Sequence, residues 1–390
     1  MLDSIFIGMS GLLGYSKGLR VIANNTANLN TPGFKGSALQ FADLYQGSGA
    51  TLGRIDDPSA GHGLTTTRTT LDFRAGELRQ TGNDLDLAID GQGLFVLRGS
   101  DGRLRYTRDG QFQFDKDGKL TSRTDGAEVQ GLGAGGLATV TLAGLRTNAA
   151  KATATVRFGG NLSSTAAEQT VDGVGIVDAS GGAHALTVAF ENDGQTTPGS
   201  WAVTVKDGDT VVGSGTIAFV DGRPVADQAT VTVAYQPAGQ KEQSIVLDFS
   251  GEVTSFAAGD LSTLAMSTHD GHAAGALGKV AFDAGGQLVL SYSNGETGKG
   301  ATLALARFDS LDAVAAVGDN GFAATDESAW HTGTAGDAYG TVRSGAVEIS
   351  NVDLSNEFAD LVVMQRGYQA SSQIVAPANE MLQELYGMRK

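Results

Sequence analysis

The spacing of apolar positions divides the chain into three regimes. From Met1 to about Leu29, apolar residues fall at Ile5, Leu12 and Leu19, with Tyr15, Ile22 and Leu29 three places after the register positions. A seven-residue repeat of this kind predicts a helix with a seam that seeks a partner. Gly8, Gly11, Gly14 and Gly18 share that helix. Each glycine costs up to ~1 kcal/mol against alanine, so the segment alone is expected to be mostly unfolded.

A second repeat of similar pitch occupies the other end. Leu354, Leu361, Tyr368, Val375 and Leu382 stand seven apart, flanked by Phe358, Met364 and Leu385. Asn351 or Asp353 is placed to cap this helix, Glu357 and Asp360 fall in its first turns, and Arg389 and Lys390 complement the negative end of its dipole. Pro377 lies inside it. The heptad stays in phase from Val375 to Leu382, so the proline predicts a bend and not an ending, at a cost of ~3 kcal/mol if unrelieved. The two seams are expected to pair with each other or with neighbouring copies.

Between the ends the period drops to two. Short β-rich runs are separated by Asp101-Gly102, Asp109-Gly110, Asp117-Gly118 and Asp125-Gly126, and Asp-Gly between alternating runs predicts hairpins. From about Lys151 the material changes to Val-, Thr- and Ala-rich strands poor in aromatics, and the earlier style returns near Gly271. The expected fold is mainly β and multidomain, with paired N- and C-terminal α-helices framing a β-rich domain that carries an inserted all-β domain. The predicted boundaries are 1–30 with 350–390 for the helical polymerisation part, 31–71 for a connecting segment, 72–150 with 267–349 for the inner β domain, and 151–266 for the insert.

Composition supports this division. The 390 residues suffice for two or three domains, and 56 glycines with 6 prolines and 7% aromatics suit short strands joined by tight turns. A net charge of -16 argues against a nucleic-acid partner or an anionic membrane surface. With no cysteine, disulfides, thiolate metal sites and thiol nucleophiles are excluded. No apolar run is long enough to span a membrane. Asp3 precedes the first basic residue, Lys17, in the N-terminal stretch, which is the reverse of a cleavable secretory signal. Export, if it occurs, is expected through a system that reads no cleaved signal.

Motifs with chemical potential read more simply as structure. Gly131 to Gly136 fits a dinucleotide fingerprint, but LATVTLAGL follows where that fold needs a helix. Asp115, Asp117 and Gly118 suggest a calcium loop, yet Gln113 and Thr124 occupy its key ligand places. His269, Asp270 and His272 offer two imidazoles and one carboxylate without a third ligand type nearby, so a surface hairpin is the better reading. No catalytic residue, cofactor or metal is predicted, and the chain is not expected to be an enzyme.

The stretch ANNTANLNTPGFKG, Ala23 to Gly36, is rich in amides directly after an apolar helix. Together with GELRQTGNDLDLAIDGQGLFVL in the first β region and SNVDLSNEFADLVVMQRGYQASSQIV at the far end, it resembles the bacterial flagellar axial family of rod and hook proteins. FGGNLSS, LDFSGEVTSF and ALARFDSLDAVAAVGDNGFAATDESAW are similar to the hook members of that family. The resemblance covers nearly the whole chain outside Asn161 to about Gln243 and implies a structural subunit polymerising into a curved tube that passes motor torque from rod to filament. It also implies a hook location, outside the cell after type III export, with other copies of itself, rod protein, hook cap, hook–filament junction protein and the export apparatus as partners.

In such a polymer Asn24, Asn25, Asn28 and Asn30 are expected to finish the helix and bond to adjacent chains, because an amide both donates and accepts. Thr31, Pro32 and Gly33 turn the chain, Phe34 anchors it, and Lys35 completes the motif. These residues and the two seams form the expected assembly interface. A distal rod subunit is the alternative within the family, disfavoured by the insert. A secreted β-rich adhesin or hydrolase would leave both seams without a role.

Overall fold

The computed structural model describes residues 2–44, 63–193, 197–336 and 338–387. Its only α-helices among these residues are terminal: α1 spans Leu2–Ala27 and α2 spans Leu354–Gly387. The described residues between them form strands, turns, irregular segments and short 3-10 helices, so the chain is mainly β, as its period-two patterning predicts. α2 continues through Pro377 without ending. Asp353 caps it, its carboxylate accepting from the Ser355 N–H at 2.8 Å, whereas Asn351 is committed elsewhere.

The chain forms two compact units. One comprises residues 1–143, 280–289 and 299–390, and the other residues 144–279 and 290–298. In the first, the ribbon of β1 (Ser37–Asp43) and β2 (Leu64–Leu71) pairs antiparallel beside α1. A ten-stranded sheet follows, running Val314–Gly318, Gly321–Ala324, Leu104–Thr107, Leu94–Arg98, Glu128–Gly133, Leu120–Ser122 and Phe112–Phe114, with side branches. Its core gathers Leu94, Val96, Tyr106, Phe322 and Trp330. The Tyr106 and Trp330 rings stack with centroids 3.9 Å apart, and the Trp330 indole N–H donates to the Ala313 carbonyl at 2.9 Å, which satisfies its buried polar end.

Three of the four Asp-Gly pairs turn hairpins. Gly102, Gly118 and Gly126 take positive φ, between Leu94–Arg98 and Leu104–Thr107, between Phe112–Phe114 and Leu120–Ser122, and between Leu120–Ser122 and Glu128–Gly133. Asp109-Gly110 does not. Leu104–Thr107 and Phe112–Phe114 are not paired with each other, and Gly110 is needed because the Leu87 carbonyl occupies the place a side chain would fill. The Gly131–Gly136 stretch is the turn between Glu128–Gly133 and Gly136–Thr139, and Asp115 closes its own turn by accepting from the Lys119 N–H at 2.8 Å.

The second unit packs two sheets around one core. Five antiparallel strands, from Glu168–Val177 to Arg223–Pro224, face four strands in which Thr155–Asn161 pairs parallel with Gln243–Thr254. Trp201, Tyr235, Phe158, Phe190 and Phe249 fill the space between them. Gly213 and Gly215 let the sheets approach, since side chains there would meet Val233 and Val231. The chain enters and leaves this sandwich through one antiparallel bridge, Lys151 N–H to His272 O at 2.9 Å and His272 N–H to Lys151 O at 3.0 Å. Asp270 accepts from the N–H groups of Ala154 and Thr155, both at 2.9 Å, and pairs with Lys151 at 3.1 Å. The His269–His272 stretch thus closes a strand junction. No group of His, Asp or Glu among the described residues is arranged to hold a metal.

Candidate functional site

The two termini meet as an antiparallel helix pair. Gly8 faces Val375 and Ser371, Gly11 faces Ser371, Tyr15 faces Gly367, and Gly18 faces Met364. Small residues of one helix accept larger ones of the other, which explains why the seam tolerates glycines that cost helix propensity. A methyl at Gly8 would stand 2.6 Å from Val375 Cγ2, and one at Gly11 2.5 Å from Ser371 Oγ. We predict that Gly11→Leu forces the helices apart and destabilises the pair by about 1–3 kcal/mol through overpacking. Hydrogen exchange at α1 and α2 should accelerate while the second unit stays unchanged.

The heptad residues divide by exposure. On α1, Ile22 is buried and Ile5, Leu12, Tyr15 and Leu19 are half-buried. On α2, Leu361, Met364 and Val375 are half-buried, while Leu354, Phe358 and Tyr368 face outward. The side chains of Leu382 and Leu385 lie outside the described residues. A second apolar stripe on α1, offset from the predicted seam, is formed by Phe6, Met9 and Leu13, each more than half exposed. It borders a groove of about 390 Å³ shared with Leu44 and Leu64. The i, i+3, i+7 spacing of these three residues is visible in the sequence, and the predicted register passes over it.

The amide-rich segment that ends α1 and follows it is part buried and part exposed. Asn25 is buried; its side-chain N–H₂ donates to Ser37 O and to Glu357 Oε1, both at 2.8 Å, and its Oδ1 accepts from the Ser37 N–H at 3.0 Å. Burial raises the Glu357 pKa above the usual carboxylate value, against the lowering effect of the Asn25 bond. Asn28 donates to Asn24 O at 2.9 Å and accepts from Thr31 Oγ1 at 3.0 Å, finishing the helix. Leu29, Thr31, Pro32 and Phe34 are half-buried, and Asn24 and Asn30 are exposed. Asn24, Asn28 and Phe34 line a cavity of about 490 Å³ beside the Val314–Gly318 hairpin. At that hairpin's tip Asn320, with φ 54°, donates to Pro32 O at 3.0 Å.

Lys35 enters the interior. Its ammonium donates to Glu348 Oε1 at 2.6 Å and to Arg74 O at 2.7 Å. The other oxygen of Glu348 accepts from Arg108 Nη1 at 3.1 Å, and Arg108 also donates to Ile89 O and Gly91 O. Lys35, Arg108 and Glu348 are 3%, 2% and 1% exposed, so this is a buried ion triad. Burial pushes the pKa of Lys35 and of Arg108 below their ordinary values, and Glu348 opposes that shift in both. Gly33 has φ 68° and packs against the Arg108–Asp109 backbone with no room for a side chain. Gly33 N–H donates to Glu348 O at 2.8 Å, and Gly36 N–H to Asn351 Oδ1 at 2.8 Å. Asn25, Gly33 and Lys35 thus each make hydrogen bonds within their own chain, and Ile22 is buried. Arg108 and Glu348 were not singled out by sequence, because nothing local marks two charges 240 positions apart as partners.

No helix of the described residues is long and apolar enough to cross a membrane, and the site holds apolar faces and a hydrogen-bonded ion triad in which the buried Nε of Arg108 is left without a partner. Folded sheets behind two glycine-notched terminal helices define a structural, polymer-building subunit. Comparison with known proteins agrees. Residues 343–388 match the family model described as flagellar basal body rod FlgEFG protein C-terminal, residues 88–179 the flagellar hook protein FlgE/F/G D1 domain, and residues 5–35 the flagella basal body rod protein. The chain is 30% identical to the flagellar hook protein FlgE of Escherichia coli K12, over 98% of both chains. It is 28% identical to that of Borreliella burgdorferi over the full length of both. A crystal structure of Helicobacter pylori flagellar hook protein FlgE2 shares the fold, with TM-score 0.52 and 12% identity, covering 69% of this chain and all of that one. The chain belongs to the flagellar hook protein family. It is a non-enzymatic structural subunit of the flagellar hook, built by self-polymerisation.

Proposed function

We propose that the subunits polymerise into a curved, flexible tube that acts as a universal joint, carrying motor torque from rod to filament. The observation that carries this reading is the exposure of large apolar residues on the terminal helices, Phe6, Met9 and Leu13 on α1 and Phe358, Val362 and Ile374 on α2. Faces of that kind mark interaction surfaces. Leu354, Phe358 and Tyr368 from the heptads, with Asn24 in the last turn of α1 and Asn30 beyond it, are the assembly contacts, supported by their outward position. The buried and half-buried heptad residues of α1 and α2 hold the pair together. Residues 1–30 with 350–390 serve polymerisation, 31–71 connects them to the β core, and the 151–266 insert supplies outer contacts.

In this reading the protein leaves the cell through the flagellar type III apparatus without a cleaved signal, assembles beneath a hook cap, and meets rod protein below and junction protein above. Concentrated purified protein examined by negative-stain microscopy tests it. Curved tubes are the expected result, and monodisperse particles at every concentration and ionic strength tried would refute it.

A further inference from the structure

The buried triad joins parts of the chain that are made far apart in time. Lys35 and Arg108 are two cations with one anion between them, and that anion is Glu348, 313 positions after Lys35. The neighbouring acids are engaged in bonds of their own. Asp109 is occupied by the Gln111 N–H at 3.1 Å and the Thr124 hydroxyl at 2.8 Å, and Asp72 by Arg74. Three anchors of the segment after α1 lead to the same late stretch, Gly33 to Glu348 O, Lys35 to Glu348 Oε1 and Gly36 to Asn351, while Lys35 also reaches Arg74 O, Gly36 O accepts from the Asp72 N–H and Pro32 O from Asn320. Asn351 in turn donates to Asp72 O and Arg74 O, and Glu348 Oε1 accepts from the Gly76 N–H at 2.7 Å. Glu348 is the point at which these strands of contact cross.

We propose that Glu348 is a completion latch: the segment after α1 locks onto the β core only when the stretch carrying Glu348 and Asn351 arrives. Before that, closing the site would bury two like charges beside each other without a counter-ion, which a low-dielectric interior forbids. A chain still lacking its last part therefore holds α1 on an unlocked tether. Its exposed apolar stripe has no fixed orientation relative to the β core, and an incomplete subunit is kept from adding to a polymer. α2 begins only six residues after Glu348, at Leu354, so locking of the N-terminal segment and positioning of the second helix happen together.

Pulse-labelled hydrogen exchange during refolding of the full-length chain tests this without any substitution. The amides of Gly33, Gly36 and Gly76 are expected to gain protection in the same phase as Ile349, whose N–H donates to Glu77 O, and after those of Leu97 and Arg98 in the central sheet. Protection of Gly33 and Gly36 before Ile349 would overturn the proposal. In native-state exchange, Glu348→Gln should speed Gly33, Gly36 and Gly76 by about a hundredfold or more, the loss that breaking a buried pair implies. Val96 and Leu97, and Val203 in the other unit, should change by less than about threefold, as expected for distant sites. Uniform acceleration across the first unit would mean that Glu348 is an ordinary core group, and would also overturn it. If Glu348→Gln does not fold, the refolding order of the unmodified chain decides alone.

Discussion

Leu13→Glu is expected to abolish tube formation while leaving a monomer with unchanged circular dichroism and thermal midpoint. Leu13 is 58% exposed on the face of α1 turned away from α2, so a carboxylate there stays hydrated in the free subunit. In a polymer the same carboxylate would be enclosed by a neighbour's apolar side chains. An unpaired charge in that setting costs about 3–5 kcal/mol at each contact, and a helical tube repeats the penalty at every subunit. Each 1.4 kcal/mol is tenfold in an association constant, so the concentration needed for assembly rises beyond practical reach. Phe358→Glu on α2 should behave alike, since Phe358 is 54% exposed. Sedimentation and negative-stain microscopy would check both; normal tubes from either variant would remove these faces from the assembly interface. The contrast with Gly11→Leu is informative, because that change acts inside the helix pair and should lower its stability even in dilute monomer.

These expectations rest partly on features that the sequence reveals and partly on features it hides, and the division has a physical cause. Heptads and period-two runs are local, so a reader of one segment sees the whole signal. That is why both terminal helices and the hairpins at Gly102, Gly118 and Gly126 were legible. Asp109-Gly110 carries the same dipeptide, but its glycine answers to Leu87, a neighbour in space and not in sequence. The amide-rich stretch shows the same limit of local signals. Asn25 spends its side chain on Ser37 and Glu357 of its own chain, and amide chemistry alone cannot distinguish that from a bond to another subunit. The triad is the extreme case, since nothing near Lys35 in sequence places Glu348, 313 positions on, beside it. Burial of a charge is decided by tertiary packing, which overrides the surface preference of the residue type.

Excising residues 152–271 and joining Lys151 to His272 through a short turn should leave tubes that form but have altered curvature. The junction is already closed in the intact protein, where these two residues bond across an antiparallel bridge in both directions, so the cut removes the sandwich without opening the strands that lead to it. What remains keeps α1, α2 and the buried triad, all within residues 1–143 or 299–390, and with them the contacts assigned to polymerisation. The lost part has its own core around Trp201, Tyr235 and Phe249, and its aromatic bulk is spent inside that core. Its surface retains few of the large buried-anchor residues, Trp, Tyr and Arg, that fix permanent interfaces. A bending, rotating tube needs each row of subunits to lengthen and shorten once per turn, and contacts that exchange at low cost suit its outer layer, where the length change is greatest. Without them the rows lose whatever sets their preferred spacing, and straighter hooks with poor swimming are the expected outcome. Microscopy of hooks from cells carrying the deletion gives the reading, with unchanged curvature assigning the insert no mechanical part and complete loss of polymer assigning it to assembly itself.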